Sequence, residues 1–233
     1  MIVLEEFIRE EALIGKENME KLNKLKVAVF GIGGVGSYAL ETLARSGVSN
    51  FILVDFDVVS TSNINRQLIA TLNTVGKYKA DVAKDRVLSI NKNAKIKVIK
   101  DKFSTGKEYI LDDDIDYIVD AIDDIKAKIE LIKVANEKNI KIISSMSTGN
   151  KLDPLKFKVS DIYKTKMCPI AKILRKELSK IGIKKLKVVY SEEENIKTNA
   201  LDEEGKHVPA SIAFVPSVCG IVIASEVIKD TIK

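Results

Sequence analysis

Four glycines stand between a short apolar run and a helical pattern in the stretch VAVFGIGGVGSYALETLARSG. Gly31, Gly33 and Gly36 spell G-x-G-x-x-G, and Gly34 is the fourth. Between a strand and a helix, the first glycine of this motif permits a tight turn, the second lets a phosphate approach the backbone, and the third packs the helix on the sheet. The pattern predicts a nucleotide site with phosphate at the helix N-terminus, and a tight turn without a ligand is the alternative.

A carboxylate follows these glycines at the spacing that is typical of nucleotide sites. Asp55 ends the apolar run FILVD, nineteen residues after Gly36. An acid at this place accepts hydrogen bonds from ribose hydroxyls, which fits NAD and also the ribose of ATP. No Gly-Lys-Ser/Thr follows the glycines, so the loop is not a P-loop.

The next polar stretch separates a redox cofactor from a triphosphate. Asp57, Asn63, Asn65 and Arg66 follow the acid, and Lys79 comes about one loop later. A hydride-transfer enzyme needs no cationic cluster here, whereas a triphosphate needs polar and cationic partners, and attack at its α-phosphate needs more of them. We therefore predict that Arg66 and Lys79 contact phosphates. Taken alone, either could also be a loop cap or a solvated helix residue.

A group of acids closes another apolar run, IDYIVDAIDD. Asp120, Asp123 and Asp124 would lie at the carboxyl end of a strand. In open α/β sheets this edge binds ligands, and a carboxylate there can hold Mg²⁺ that bridges phosphates. We predict that Asp123 is the metal ligand, and a helix N-cap is its alternative role.

Apolar runs alternate with helical patterns, which indicates an α/β fold with a doubly wound, Rossmann-like, mostly parallel sheet. We expect one domain over residues 1–233, with a core at about 20–150 and a C-terminal extension over 151–233. The extension is expected to hold two strands around a basic helix, then a mobile polar loop, then a buried strand and helix. Their sequences are LKFKVSD, LKVVYS, CPIAKILRKELSKIG, SEEENIKTNALDEEGKH and SIAFVPSVCGIVIASEVI.

The net charge of +5 is unevenly distributed. Residues 158–187 hold ten Lys or Arg against two acids, so this segment is +8. Such a cluster favours binding to a polyanion, with nucleic acid first among the candidates, and a solvated helix face is the alternative.

Cys168 and Cys219 give neither a disulfide framework nor a C-x-x-C zinc pair. The N-terminus MIVLEEFIREEALIG is acidic where a signal peptide begins with basic residues, so we expect a cytoplasmic protein with reduced thiols.

The ordered motifs GIGGVG, VDFD, SNINRQ, GKYKAD and DAID resemble those of the adenylating enzymes of the ThiF/MoeB/HesA type, relatives of the ubiquitin-activating enzymes. The resemblance implies transfer of AMP from ATP to a carboxylate, with release of pyrophosphate. It also implies a homodimer in which Arg9, in FIREEALIG, reaches the partner's active site.

Site roles follow from the same resemblance, motif by motif. Asp55 would hold ribose, Asp123 would lie at Mg²⁺, and the phosphates would be contacted by Gly33, Gly34, Asn65, Arg66 and Lys79. The catalytic candidates are Arg9, Arg66, Lys79 and Asp123. The remaining candidates for nucleotide binding are Gly31, Gly36, Asp57 and Asn63.

The C-terminal third narrows the resemblance. ISSMSTGNKLDPLKFKVSDIYKT, CPIAKILRKELSKIGIKKLKVVYS and SIAFVPSVCG closely resemble segments of the tRNA threonylcarbamoyladenosine dehydratases, the TcdA or CsdL group. That group activates the threonyl carboxylate of a modified adenosine beside the tRNA anticodon with ATP. The carbamoyl group then attacks, and a ring closes with net loss of water. The resemblance implies tRNA-phosphate contacts from Lys172, Arg175, Lys176 and Lys180.

Other interpretations stay open from the sequence. One is an adenylyltransferase for a ubiquitin-like sulfur-carrier protein, against which the missing zinc-binding cysteine pairs count. Another is a non-catalytic nucleotide-binding partner of a cysteine desulfurase system. An NAD oxidoreductase is disfavoured because no hydride-transfer residues stand out. Cys168, which precedes a proline at a helix start, and His207, the only histidine, are open between a chemical and a structural role.

Overall fold

The structure, a computed structural model, describes residues 5–111, 114–199, 201, 205 and 208–233. These residues form a seven-stranded sheet with the strand order β3-β2-β1-β4-β5-β7-β6. Neighbouring strands are parallel, except that β6 and β7 are antiparallel. The strands are β1 Lys26–Phe30, β2 Asn50–Val54, β3 Lys95–Ile99, β4 Tyr117–Asp120, β5 Lys141–Ser145, β6 Phe157–Asp161 and β7 Lys187–Ser191.

The α-helices of the described residues cover both faces of this sheet. They are α1 Ile8–Ile14, α2 Lys16–Lys24, α3 Gly36–Arg45, α4 Lys79–Ile90, α5 Ile125–Glu137, α6 Pro169–Lys180 and α7 Phe214–Ile232. From β1 the chain runs outward through β2 and β3, and it returns to the other side of β1 as β4. This reversal between β1 and β4 is the position at which doubly wound sheets bind ligands. The predicted α/β fold is confirmed.

Successive residues of the central strands enter two different cores, because side chains alternate across a sheet. Val27 and Val29 pack in one cluster with Leu43 of α3 and Ile223 of α7. Their neighbours in β1 belong to the opposite cluster with residues of β2 and α5. The near-continuous apolar sequence of β1 therefore reflects burial on both faces, as is typical of a parallel sheet.

The run SIAFVPSVCGIVIASEVI differs from its prediction. The expected strand before the helix is wrong, because Phe214–Ile232 is one helix. Pro216 lies in the first turn, where its missing N–H is not needed. A Cβ on Gly220 would lie 2.3 Å from the Val35 carbonyl oxygen, so α7 packs closely on the start of α3. Within the part of the chain that the structure describes, no helix is long and apolar enough to cross a membrane.

The predicted extension contains β6, α6 and β7 in the expected order. Residues 192–199 form no helix or strand, and much of the remaining predicted polar loop lies outside the described residues. Helices α1 and α2, which precede β1, had no counterpart in the sequence prediction. The carboxyl ends of β1, β2, β4 and β5 meet at one edge of the sheet, and the candidate site lies there.

Candidate nucleotide-binding site

A cavity of about 530 Å³ lies at the carboxyl ends of the central strands. Most of the residues predicted to bind a nucleotide line it. Those residues are Gly31, Gly33, Gly34, Asp55, Asp57, Arg66, Lys79 and Asp123. Three others, Gly36, Asn63 and Asn65, and the catalytic candidate Arg9 are not among the lining residues. The structure thus brings together motifs that lie nearly one hundred residues apart in the chain.

The glycines of the first turn differ in what requires them. Gly31 has φ +82°, and a Cβ there would lie 2.6 Å from the Ala121 carbonyl oxygen. A Cβ on Gly36 would lie 1.8 Å from the Gly31 carbonyl oxygen, so packing alone excludes a side chain. Among the described residues, a Cβ on Gly33 would meet only the Gln67 amide nitrogen, at 3.8 Å. Because no contact with these residues requires a glycine at position 33, its open space suits a ligand that approaches the backbone.

Asp55 is fixed beneath this turn. One carboxylate oxygen accepts the Ile32 N–H at 2.6 Å, and the other accepts the Asp57 N–H at 2.8 Å. Burial raises the pKa of Asp55 above its ordinary value, and these two donors and the nearby Lys79 ammonium oppose that rise. Each oxygen keeps a second lone pair. Asp55 can therefore hold the loop in shape and also accept hydrogen bonds from ribose.

Lys79 opens α4 and turns back toward the cavity. Its Nζ lies 2.8 Å from Oδ2 of Asp57, and its backbone N–H donates to the Asp57 carbonyl at 2.9 Å. The Lys79 side chain is buried, whereas that of Asp57 is 46% exposed. The ammonium group is thus held at the cavity wall by one half-exposed carboxylate. An incoming phosphate can take over part of that pairing.

Arg66 and the two asparagines before it have separate roles. Arg66 donates from Nη1 to the Ser62 carbonyl at 2.8 Å and to Oδ1 of Asn65 at 3.0 Å, beside the cavity. Asn65 donates in turn to the Ser211 carbonyl at 3.0 Å. Asn63 is buried, and its side chain accepts the Ser60 N–H in a capping box. The structure therefore gives Asn63 a role in loop shape and Asn65 a role in orienting Arg66.

The contacts of Asp123 and Asp124, the acids after β4, show that they have different roles. Asp124 caps α5 by accepting the Ala127 N–H at 2.9 Å, and it pairs with Lys102 at 2.8 Å, which lowers its pKa. Asp123 is exposed and faces the cavity, so the N-cap role falls to its neighbour. The described residues hold no cluster of three or more metal-binding side chains. One carboxylate beside phosphates nevertheless suits Mg²⁺, which keeps several waters and takes few protein ligands.

Known proteins share this fold and these motifs. The ThiF family model matches residues 7–232. The chain belongs to the ThiF family. It is 43% identical to the tRNA threonylcarbamoyladenosine dehydratase of Bacillus subtilis over 99% of this chain and 96% of that protein. It is 34% identical to the Escherichia coli protein of the same name over 74% of this chain and 65% of that protein.

Solved structures give the same result. The E. coli dehydratase TcdA in complex with ATP superposes with a TM-score of 0.90 at 27% identity, over 99% of this chain and 97% of that chain. The complex of TcdA with AMP gives the same TM-score. The resemblance to ThiF-type enzymes and to the dehydratase group is confirmed. TcdA, which shares this fold, was solved with adenine nucleotides bound.

Sequence reasoning missed two buried polar residues that line the ThiF-family cavity. Gln67 is 7% exposed, and its Oε1 has no hydrogen-bond partner within the described part of the chain. Lys128 is 2% exposed and pairs with Asp120. The adjacency of Gln67 to Arg66 could have indicated its place. Nothing in the sequence around Lys128 indicated its burial, because its partner Asp120 lies on a separate element, the strand β4.

Arg9 lies far from the cavity of its own chain. It is exposed on α1, and the neighbouring Glu10 lies beside Ser46, at the C-terminal end of α3. The cavity lies at the N-terminal end of α3, whose ten residues span about 15 Å. Arg9 is therefore not brought to the cavity of its own chain.

The four predicted tRNA contacts also differ from one another. Lys172 and Lys176 are exposed on α6, and Lys180 is exposed and pairs with Glu177 at 2.8 Å. Arg175 instead donates from its guanidinium to the Ile162 and Thr165 carbonyls and to the Thr165 hydroxyl. Arg175 therefore fastens α6 to the preceding loop through its Nη1.

The two cysteines are both buried. Cys168 is the N-cap residue of α6 and packs in the cluster around that helix. Cys219 lies inside α7, and burial raises the pKa of its thiol. Both environments match the structural role more closely than that of an accessible nucleophile. His207 lies outside the described residues.

Proposed function

We propose that this chain is an ATP-dependent tRNA-modifying enzyme of the cytoplasm. It adenylates the carboxylate of threonylcarbamoyladenosine in tRNA and closes a ring with net loss of water. The observation that carries the proposal is the cavity in which the glycine turn, Asp55, Arg66 and Lys79 meet, in a chain that matches a dehydratase from end to end. The sulfur-carrier alternative has weaker support, because a molybdopterin-synthase adenylyltransferase matches over only 55% of this chain.

Adenylation turns a poor electrophile into a good one. A carboxylate oxygen of the substrate attacks the α-phosphorus, and the bond to pyrophosphate breaks. The carbamoyl group then attacks the activated carbonyl, and AMP leaves with the oxygen that the carboxylate loses. This second step is intramolecular and gains the rate advantage of a fixed geometry. Together the two steps consume ATP, release pyrophosphate and AMP, and remove one water from the nucleoside.

The residues of the cavity divide this work. The backbone at Gly33 and the N-terminus of α3 receive phosphate, and Asp55 accepts from ribose hydroxyls. Arg66 and Lys79 are cations that stabilise negative charge as it develops on the α-phosphate. Asp123 would hold Mg²⁺, which supplies further charge neutralisation at the phosphates when bound. Its exposure and its place on the cavity wall fit that role.

Two partners complete the proposal. A homodimer would bring Arg9 of one subunit to the cavity of the other, which its distance from its own cavity supports. Lys172 and Lys176 would contact tRNA phosphates, because both are exposed on the helix whose Ile170 lines the cavity. A cysteine desulfurase as a further partner stays a prediction from the sequence.

Pyrophosphate release tests this function against its alternatives. With ATP and Mg²⁺, the purified protein is expected to release pyrophosphate only when it receives tRNA that carries the uncyclised threonylcarbamoyladenosine. The matched control is the same tRNA with unmodified adenosine at that position. Release that depends on a sulfur-carrier protein would favour the adenylyltransferase alternative. No release of pyrophosphate with either substrate would favour the non-catalytic alternative.

A further inference from the structure

A buried charge pair lies under the nucleotide cavity. Lys128 of α5 and Asp120 of β4 are 2% and 0% exposed, and Nζ lies 2.8 Å from Oδ2. Ser144 of β5 joins them, because its hydroxyl lies 3.1 Å from the Lys128 Nζ and donates to Oδ2 of Asp120 at 2.5 Å. One ammonium group therefore joins three elements of the fold.

The position of this network matters more than its strength. Asp120 and Ser144 face each other in the register of β4 and β5, at the carboxyl ends of both strands. The second oxygen of Asp120 accepts the Ile122 N–H at 3.2 Å, so the same carboxylate shapes the turn that leads to Asp123. Residues of both following loops, 121–124 and 145–149, line the cavity. The network thus fixes the starting points of two loops that form walls of the cavity.

Stability alone does not account for these charges. A buried ion pair is often no more stabilising than apolar residues of the same volume, because desolvation of the charges offsets their attraction. A fully satisfied buried network does, however, select one arrangement of the groups that it connects. Lys128 also lines the cavity itself, so the arrangement it selects is the one that a ligand meets.

We propose that Lys128 is a positioning residue of the nucleotide site. By holding Asp120 and Ser144, it fixes the turn that presents Asp123 to a divalent cation on the triphosphate. The proposal rests on the ATP-dependent function described above, and it adds a residue to which the motif comparison gave no role. Its loss is expected to remove the gain in ATP affinity that Mg²⁺ brings, and to leave the affinity for metal-free ATP unchanged.

The test measures ATP affinity by calorimetry with and without Mg²⁺. The main variant is the double substitution Lys128→Met and Asp120→Asn, which removes both charges and leaves no unpaired ion. We expect metal-free ATP affinity to stay at the wild-type value, the gain in affinity on adding Mg²⁺ to be lost, and kcat to fall about 100-fold from misplacement of the site. The matched control is Lys133→Met, because Lys133 is on the same helix, 43% exposed and paired with Glu130.

Each outcome decides the question. A folded double variant with a wild-type Mg²⁺ gain overturns the proposal, and so does a wild-type protein without such a gain. If the double variant does not fold, Ser144→Ala decides, since it removes one hydroxyl and keeps the ion pair. It is expected to lose part of the gain, and an unchanged gain overturns the proposal. A wild-type protein with the gain but without tRNA-dependent turnover would count against the proposed function and leave the role of Lys128 standing.

Discussion

The nucleotide site and the C-terminal third hold their charged side chains in different ways. At the nucleotide site, Asp55 is fixed by two backbone N–H groups, and Lys79 is fixed by Asp57. In the C-terminal third, Lys172 and Lys176 extend into solvent. A compact triphosphate is best served by groups that need no reorganisation as charge develops, whereas an RNA backbone needs mainly exposed positive charge. We therefore expect the cations whose side chains are already held in place before the ligand binds to affect the reaction rate, and the solvent-exposed lysines to affect RNA binding.

The largest expected effect concerns Arg9, which lies neither at the nucleotide site of its own chain nor in the C-terminal third. Arg9→Ala is expected to abolish tRNA-dependent pyrophosphate release, and Arg66→Ala is expected to lower its rate about 100-fold or more. Mixed dimers of the two variants would carry one intact site, so mixing is expected to restore part of the activity. Lys16→Ala, an exposed cation on the next helix, is the control and is expected to be active. If subunits exchange and the mixture stays inactive, Arg9 does not act across a dimer.

The restrained cations are expected to give the next largest effect. Arg66→Ala and Lys79→Ala are each expected to lower kcat about 100-fold or more, with a smaller change in ATP affinity, because they stabilise transition-state charge. Steady-state kinetics with saturating tRNA measures both quantities. Lys84→Ala, on the same helix as Lys79 but outside the cavity lining, is the matched control. Normal turnover in both cavity variants would show that these cations do not serve the triphosphate.

Asp55 is expected to affect binding more than chemistry. Asp55→Ala is expected to weaken ATP binding by about 1–3 kcal/mol, because ribose donors and the Ile32 and Asp57 N–H groups lose their acceptor. Calorimetry with ATP and with its 2′,3′-dideoxy analogue separates the two causes. The wild-type protein is expected to prefer ATP, and the variant is expected to bind both equally. A preference that survives in the variant would contradict the ribose contact.

The smallest expected effect lies in the C-terminal third. Lys172→Glu with Lys176→Glu is expected to leave ATP affinity unchanged. It is also expected to reduce the slope of log tRNA affinity against log salt, by up to about one unit for each phosphate that is no longer neutralised. Arg175→Ala is expected to keep the slope and to lower stability by about 1 kcal/mol or more, because buried acceptors of the preceding loop lose their donor. Equal slopes in the lysine variant and the wild type would mean that this face is only solvated.

The sequence predicted best what depends on local spacing. The glycine turn, Asp55 at the end of β2 and the acids after β4 came from motifs of a few residues, and the parallel sheet came from the alternation of apolar runs with helices. Strand order then brought those motifs to one edge, as expected for a doubly wound fold.

What the sequence did not predict depends on contacts between distant elements. Lys128 stands in a helical pattern, and its partner Asp120 is known only once β4 is placed against α5. Arg175 looked like one more exposed cation until the loop at Thr165 was seen to face it. The expected strand near Pro216 was wrong, because a proline in the first turn starts a helix as readily as it interrupts one.

The most direct test of the proposed function is the mass of the modified nucleoside. The protein is incubated with ATP, Mg²⁺ and tRNA that carries uncyclised threonylcarbamoyladenosine, and the tRNA is then digested to nucleosides and examined by mass spectrometry. The expected result is a loss of one water from that nucleoside, in step with AMP formation and much slower with the Arg66→Ala variant. An unchanged nucleoside mass with an ATP-binding, folded protein would contradict the proposed dehydration.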